Sequence, residues 1–210
     1  MRPDRRAFLL GCLAALGALA AAPAEAAPSL AEVSAPVAAL NAGLLAVMKA
    51  GKSTPFPTRY ASLEPIIVQS FDLPRILQNA VGFGWADIPE PQRQQLLAVF
   101  RQYTVASYVA NFNSYDGEEF KILPSLRTVG QQQVVSTEIV KRTGKSVRID
   151  YVLRQNGATW QVVDVLLDGT ISQVAVQRSD FHSLLASGNA PALIAGLKKK
   201  VSTLSDNTLS

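Results

Sequence analysis

Residues 145–177, KSVRIDYVLRQNGATWQVVDVLLDGTISQVAVQ, constrain the fold more than any other stretch of this chain. Apolar and polar residues alternate through Ser146–Arg154 and again through Thr159–Leu167. That is the period-two pattern of strands with one buried face. Asn156-Gly157 lies between the runs, and both residues tolerate positive φ, so a tight hairpin is expected there. Asp168-Gly169 supplies a second turn, with a further strand expected over Ile171–Val176. A sheet this rich in Val, Ile, Leu and Trp must cover its apolar face, so helices from elsewhere in the chain have to pack on it. Whether that face meets only the protein's own helices is the functional question.

Upstream the chain reads helix first and strand later. Ser29-x-x-Glu32 is a capping box that opens an Ala/Leu-rich helix to about Ala50. Gly51–Pro57 is a linker. A second helix covers Thr58–Gln69, and Glu64-Pro65 is expected to kink or divide it. Asp72 caps a short helix with Pro74 in its first turn, and Gly82 and Gly84 end it. Pro89-Glu90-Pro91 starts a long helix to about Asn113. Leu97, Phe100, Thr104, Tyr108 and Phe112 share one face of it, with Leu96 and Tyr103 adjoining. Strands are then expected over Glu119–Leu123 and Leu126–Arg142, the latter bent or broken at Gly130. Helices over Ser179–Ala186 and from Ala190 to about Val201 close the chain. The expected class is α+β: N-terminal helices packed on a curved antiparallel meander, with C-terminal helices beside them.

The first residues set the compartment. Asp4-Arg5-Arg6-Ala7-Phe8-Leu9-Leu10 is a twin-arginine pattern, an uncharged stretch follows to Ala22, and Ala24-Glu25-Ala26 fits a small-x-small cleavage site. Residues 1–26 read as a cleaved export signal, by the twin-arginine or the general secretory route, and 27–210 as one mature periplasmic domain. Cys12 sits in a lipobox-like Leu9-Leu10-Gly11-Cys12, but at the start of the apolar stretch rather than its end, so it reads as signal filler. The mature chain then has no cysteine and no disulfide. No later segment reads as long and apolar enough to cross a membrane. The leader carries three arginines and two acids, so its loss lowers the formal net charge of +4 by one. Mild basicity without a basic stripe or zinc pattern argues against nucleic acid.

Little in the chain looks catalytic. His182 is the only histidine, which makes a triad or a metal set a poor fit. Asp150, Asp164 and Asp168 read as turn or solvent-facing groups before they read as an acid and base pair. Lys198-Lys199-Lys200 falls at an expected helix C-terminus, where cations favour the dipole, and that role is preferred to a membrane or head-group contact. Arg142, Lys145 and Arg148 near a hairpin end read as solvated charge before they read as a contact with an anionic membrane surface or partner.

The order of elements and several motifs resemble the MlaC-type (toluene-tolerance) family of periplasmic lipid carriers, over about Leu30–Val201. The matching pieces are Phe71-Asp72, Gly82, Trp85, Gln92-Arg93 through Phe100, Tyr103 and Tyr108, and Tyr115-x-Gly117. A second set is Trp160-Gln161-Val162-Val163-Asp164-Val165, then Asp168-Gly169-Thr170-Ile171-Ser172. The family more often has Glu-Gly-Val-Ser at the last motif; the longer form here resembles the hopanoid-associated HpnM-like branch. The resemblance implies a non-enzymatic carrier without cofactor, with an apolar cavity between sheet and helices. Its cargo would be a phospholipid or a hopanoid. Its partners would be an inner-membrane ABC transporter complex and an outer-membrane lipid complex.

On that reading Val147, Ile149 and Tyr151 form one strand wall and Val163, Val165 and Leu167 the next. Phe100, Tyr103, Tyr108 and Phe112 form the opposing helix wall, with Leu77, Trp85, Ile171 and Val174 as outlying contributors. The alternative for any one of them is ordinary core packing, because a helix stripe facing a sheet is how most domains are built. Two other function classes stay open: a small-ligand enzyme on a cone-shaped α+β scaffold, with Asp164 or Asp150 as base, and a non-catalytic envelope interaction protein with a filled interior.

Overall fold

The computed structural model describes residues 27–185 and 190–209. The expected export signal, and Ala186 at the end of one expected helix, lie outside them. The helical half comprises α1 (Leu30–Ala50), α2 (Phe56–Ser70), α3 (Leu73–Val81), a 3-10 turn (Gly82–Trp85) and α4 (Glu90–Asn111). Five strands follow: β1 (Glu119–Val129), β2 (Gln132–Val140), β3 (Ser146–Asn156), β4 (Thr159–Leu167) and β5 (Ile171–Ser172). Helices α5 (Gln173–His182) and α6 (Pro191–Leu204) complete the described chain. The strands pair antiparallel in the order β1-β2-β3-β4-β5, an open meander with helices on one face, as the alternation requires.

The caps behave as the sequence predicts. Ser29 Oγ accepts from Glu32 N at 3.2 Å, and Asp72 accepts from Arg75 N at 3.1 Å. Asp168 and Gly169 both have positive φ, which closes the β4–β5 hairpin. The β3–β4 hairpin differs by one residue. Asn156 pairs with Thr159, so Gly157-Ala158 is the loop, and only Gly157 has positive φ.

Four expectations are corrected. Pro65 does not divide α2: buried Leu63 and Ile67, on either side of it, hold the helix against the core. The run Glu119–Arg142 breaks at Gly130 as expected, between β1 and β2, but the break expected at Pro124-Ser125 is only an irregularity inside β1. The strand expected over Ile171–Val176 stops at Ser172, because Ser172 Oγ accepts from Ala175 N and starts a helix. Finally, α1 is long and apolar enough to cross a membrane by length and composition. Here its apolar residues are structural. Val33, Val37, Leu40, Leu44 and Val47 form a helical stripe buried in the main core.

Long-range backbone contacts fix the sheet against the helices. Asp72 N donates to Val162 O at 3.0 Å, and Phe71 forms a parallel bridge to Val162. Gln161 Nε2 donates to Gln69 O at 3.2 Å. The α2–α3 junction is thereby anchored to the middle of β4. At the same place β4 carries one extra residue. Val152 pairs with Asp164 but Leu153 pairs with Val162, so Val163 is a bulge.

Candidate functional site

The bulge divides β4 into two functional halves. Ahead of it, Val162 packs into the main core with Leu153. Beyond it, Val165 pairs with Tyr151 and Leu167 with Ile149, and all four line a cavity of about 720 Å³. That volume falls in the usual range for small-molecule pockets. The opposite wall is α4, which contributes Phe100, Tyr103, Thr104, Ser107, Tyr108, Asn111 and Phe112. Phe71, Leu73 and Ile76, with residues of α5 and α6, complete the lining.

The α4 wall is aromatic for a local reason. Tyr108 and Phe112 are one turn apart and stack with ring centroids 6.0 Å apart. Phe71 lies 5.6 Å from Tyr108, and Phe120 on β1 lies 6.2 Å from Phe112. Burial pushes the Tyr151 phenol well above its ordinary pKa. Burial does the same to Tyr108, reinforced by the neighbouring Tyr151. Both rings stay neutral at any physiological pH, so this part of the wall carries no charge. The small polar side chains on α4 are satisfied internally. Thr104 Oγ1 donates to Phe100 O at 2.9 Å and Ser107 Oγ to Tyr103 O at 2.7 Å.

Of the expected lining residues, Phe100, Tyr103, Tyr108, Phe112, Ile149, Tyr151, Val165, Leu167 and Val174 are brought together. Val163 is not. The bulge turns it to the other face of the sheet, where it clusters with Val134, Val152 and Leu166. Leu77 is fully buried in the core, and Trp85 packs against that core from the 3-10 turn. Val147 and Ile171 are exposed; strict register puts them on the cavity-facing side of the sheet, past the cavity's end. Unanticipated contributors are Phe71, Leu73 and Ile76, Gln173 and Gln177 on α5, and Gly196, Lys199, Lys200, Thr203 and Leu204 on α6. Phe71 was visible as a motif residue. The α6 set recurs at helical spacing, but its lysines hid the pattern. Those lysines do not end a helix, since α6 continues to Leu204.

The acidic groups have structural partners. Asp164 lines the cavity, but its oxygens accept from Val165 N at 2.8 Å, Val174 N at 3.1 Å and Ser172 Oγ. It joins β4 to the start of α5. Asp150 is buried on the opposite sheet face, held by Arg148 at 2.9 Å and Arg127 at 3.4 Å. Burial pushes its carboxyl up, but hydrogen bonds from Arg148 and Ser136 and the two arginine charges outweigh that and hold it below the usual range. A depressed carboxylate outside the cavity is the reverse of what a general base needs. Asp168 is an exposed turn residue and His182 is exposed on the last turn of α5. Arg142 pairs with exposed Asp116 at 3.3 Å. Among the described residues no group of His, Cys, Asp and Glu could hold a metal ion.

A family model described as MlaC protein matches residues 39–199. The chain belongs to the MlaC family. MlaC-family lipid carriers are non-catalytic, which fits the satisfied carboxylates. Among solved structures the chain is similar to a phospholipid-binding protein from Ralstonia solanacearum, determined in complex with a phospholipid. The two share 19% identity with a TM-score of 0.71, over 83% of this chain and 99% of that one. This likeness supports the MlaC fold: helices against an open antiparallel sheet. No curated protein sequence matches the chain.

Proposed function

We propose that this protein is a periplasmic lipid shuttle, one component of an ABC-type lipid transport system. On this reading residues 1–26 direct export and are removed, and 27–210 form one carrier domain. The carrier takes its lipid between an outer-membrane lipid complex and an inner-membrane transporter complex. The observation that carries the proposal is the cavity itself. In a chain of the MlaC family, apolar walls from β3, β4 and α4 leave about 720 Å³ that the protein's own side chains do not fill.

The physical need for such a container is large. Each methylene moved from a bilayer to water costs about 0.8 kcal/mol. Two acyl chains together cost on the order of 20 kcal/mol. An apolar cavity that takes in the chains offsets most of that without any covalent step. The cargo is a phospholipid or a hopanoid. The phospholipid bound by the Ralstonia solanacearum protein favours the first. The longer Asp168-Gly169-Thr170-Ile171-Ser172 motif, like that of the HpnM-like branch, favours the second.

The test is extraction of the purified periplasmic form with organic solvent, followed by mass spectrometry of the extract. Near-stoichiometric lipid is expected. An extract free of lipid, even after incubation with donor vesicles, overturns the carrier reading in favour of an envelope interaction protein.

A further inference from the structure

Two tyrosines stand in the apolar walls of the cavity, and their oxygens differ from the other hydroxyls there. Tyr108 belongs to the α4 wall and Tyr151 to the β3 wall. Thr104 and Ser107, also on α4, each donate to a backbone carbonyl of their own helix. A buried Tyr O–H ordinarily finds a partner too. Here neither phenol does among the described residues. Burial raises both pKa values, joined for Tyr108 by the nearness of Tyr151, and no hydrogen bond contributes to either. The two phenols are therefore neighbours and act at one depth of the cavity.

Their surroundings are hydrocarbon. The Tyr108 ring lies against Phe71 and Phe112, with centroids 5.6 and 6.0 Å away. Tyr151 is 2% exposed and pairs across the strands with Val165. Asp164, the carboxylate in the lining, is already occupied by two backbone N–H groups and a hydroxyl. In a delipidated protein, water entering the cavity can bond the phenols. A saturated chain displaces that water and offers nothing in return, so the phenols are left unpaired at a cost. A chain with an oxygen at that depth removes the cost. Sites that bond a hydroxyl reject the analogue lacking it more strongly than apolar walls discriminate by size.

We propose that Tyr108 and Tyr151 form a polar hook inside the cavity, which selects lipids bearing a hydroxyl within a hydrocarbon chain. The inference rests on the lipid-carrier reading and adds a requirement on the cargo that apolar walls alone do not impose.

The test loads delipidated periplasmic protein from neutral detergent micelles holding equal amounts of phosphatidylcholines of one chain length. One has plain saturated chains. The others carry a single hydroxyl near the ester, at mid-chain or near the tail. Bound lipid is counted by mass spectrometry. One hydroxyl position should load about tenfold over the plain lipid. Y108F/Y151F should bring that ratio to about twofold or less and should raise loading of the plain lipid, a gain that a merely structural role for the hydroxyls would not give. Thermal melts check that the double variant folds; if it does not, Y151F alone carries the same comparison. Equal loading of plain and hydroxylated lipids by the wild-type protein overturns the hook and leaves the carrier reading intact. Loading of none overturns both. A preference that survives the Tyr→Phe changes means that the hydroxyl is read elsewhere, and the assignment to the phenols fails.

Discussion

Val165 and Val163 are two residues apart, apolar and similarly placed by periodicity, yet they face different surroundings. Val165 lines the cavity and Val163 is buried on the other sheet face. V165E should lower bound lipid at least about tenfold, since a carboxylate beside hydrocarbon is strongly disfavoured. Because the cavity reaches solvent, its thermal melt should stay within a few degrees of wild type. V163A should do the opposite. It should cost about 1–3 kcal/mol in denaturant unfolding through lost burial and leave lipid occupancy unchanged. Unfolding of V165E instead of lipid loss would mean that the site is packed core. Phe83 provides a control. It is fully exposed in the 3-10 turn, so F83S should shift unfolding by no more than about 0.5 kcal/mol.

At the scale of elements, the outer face of the sheet is tied by Asp150. Its carboxyl is held below the ordinary value, so its contribution is fully present above the unfolded carboxyl pKa of about 4. That contribution disappears as pH falls through the lower folded value. D150N should therefore be less stable than wild type at neutral pH, and the gap should narrow in urea titrations taken progressively below about pH 4. A gap that widens in acid would contradict the assignment. Much of this element plan was legible in the sequence. Ser29, Asp72 and Asp168-Gly169 are local devices, and each acts where it is written. What stayed hidden depends on distant partners. ISQVAVQ alternates like a strand, but α5 begins at Gln173 because Asp164, eight residues before Ser172, accepts from Ser172 Oγ and Val174 N. Pro65 looks like a breaker until packing of α2 is counted. The bulge at Val163 has no local signature, because Val-Val continues either face equally well. The aromatic wall of α4 was readable as a stripe; the α6 wall was not, because a lysine can line a cavity with its stem while its ammonium stays in water.

For the whole molecule, the cavity makes stability depend on cargo. A ligand bound only by the folded state stabilises it by mass action, in proportion to the logarithm of ligand over Kd. Delipidated protein should melt lower than the lipid-loaded form, and adding back lipid should restore the difference. Identical melts would indicate an interior that gains nothing from a guest. The extra residue in β4 also decides how the strand can be trimmed. Removal of Val163 would set Val162 next to Asp164, opposite Leu153 and Val152, and so restore regular pairing. Val165 and Leu167 would keep Tyr151 and Ile149 across from them. The strand would lose its local bend, and a guest would still meet the same side chains: shortening by one residue here straightens the vessel's wall without turning it inside out.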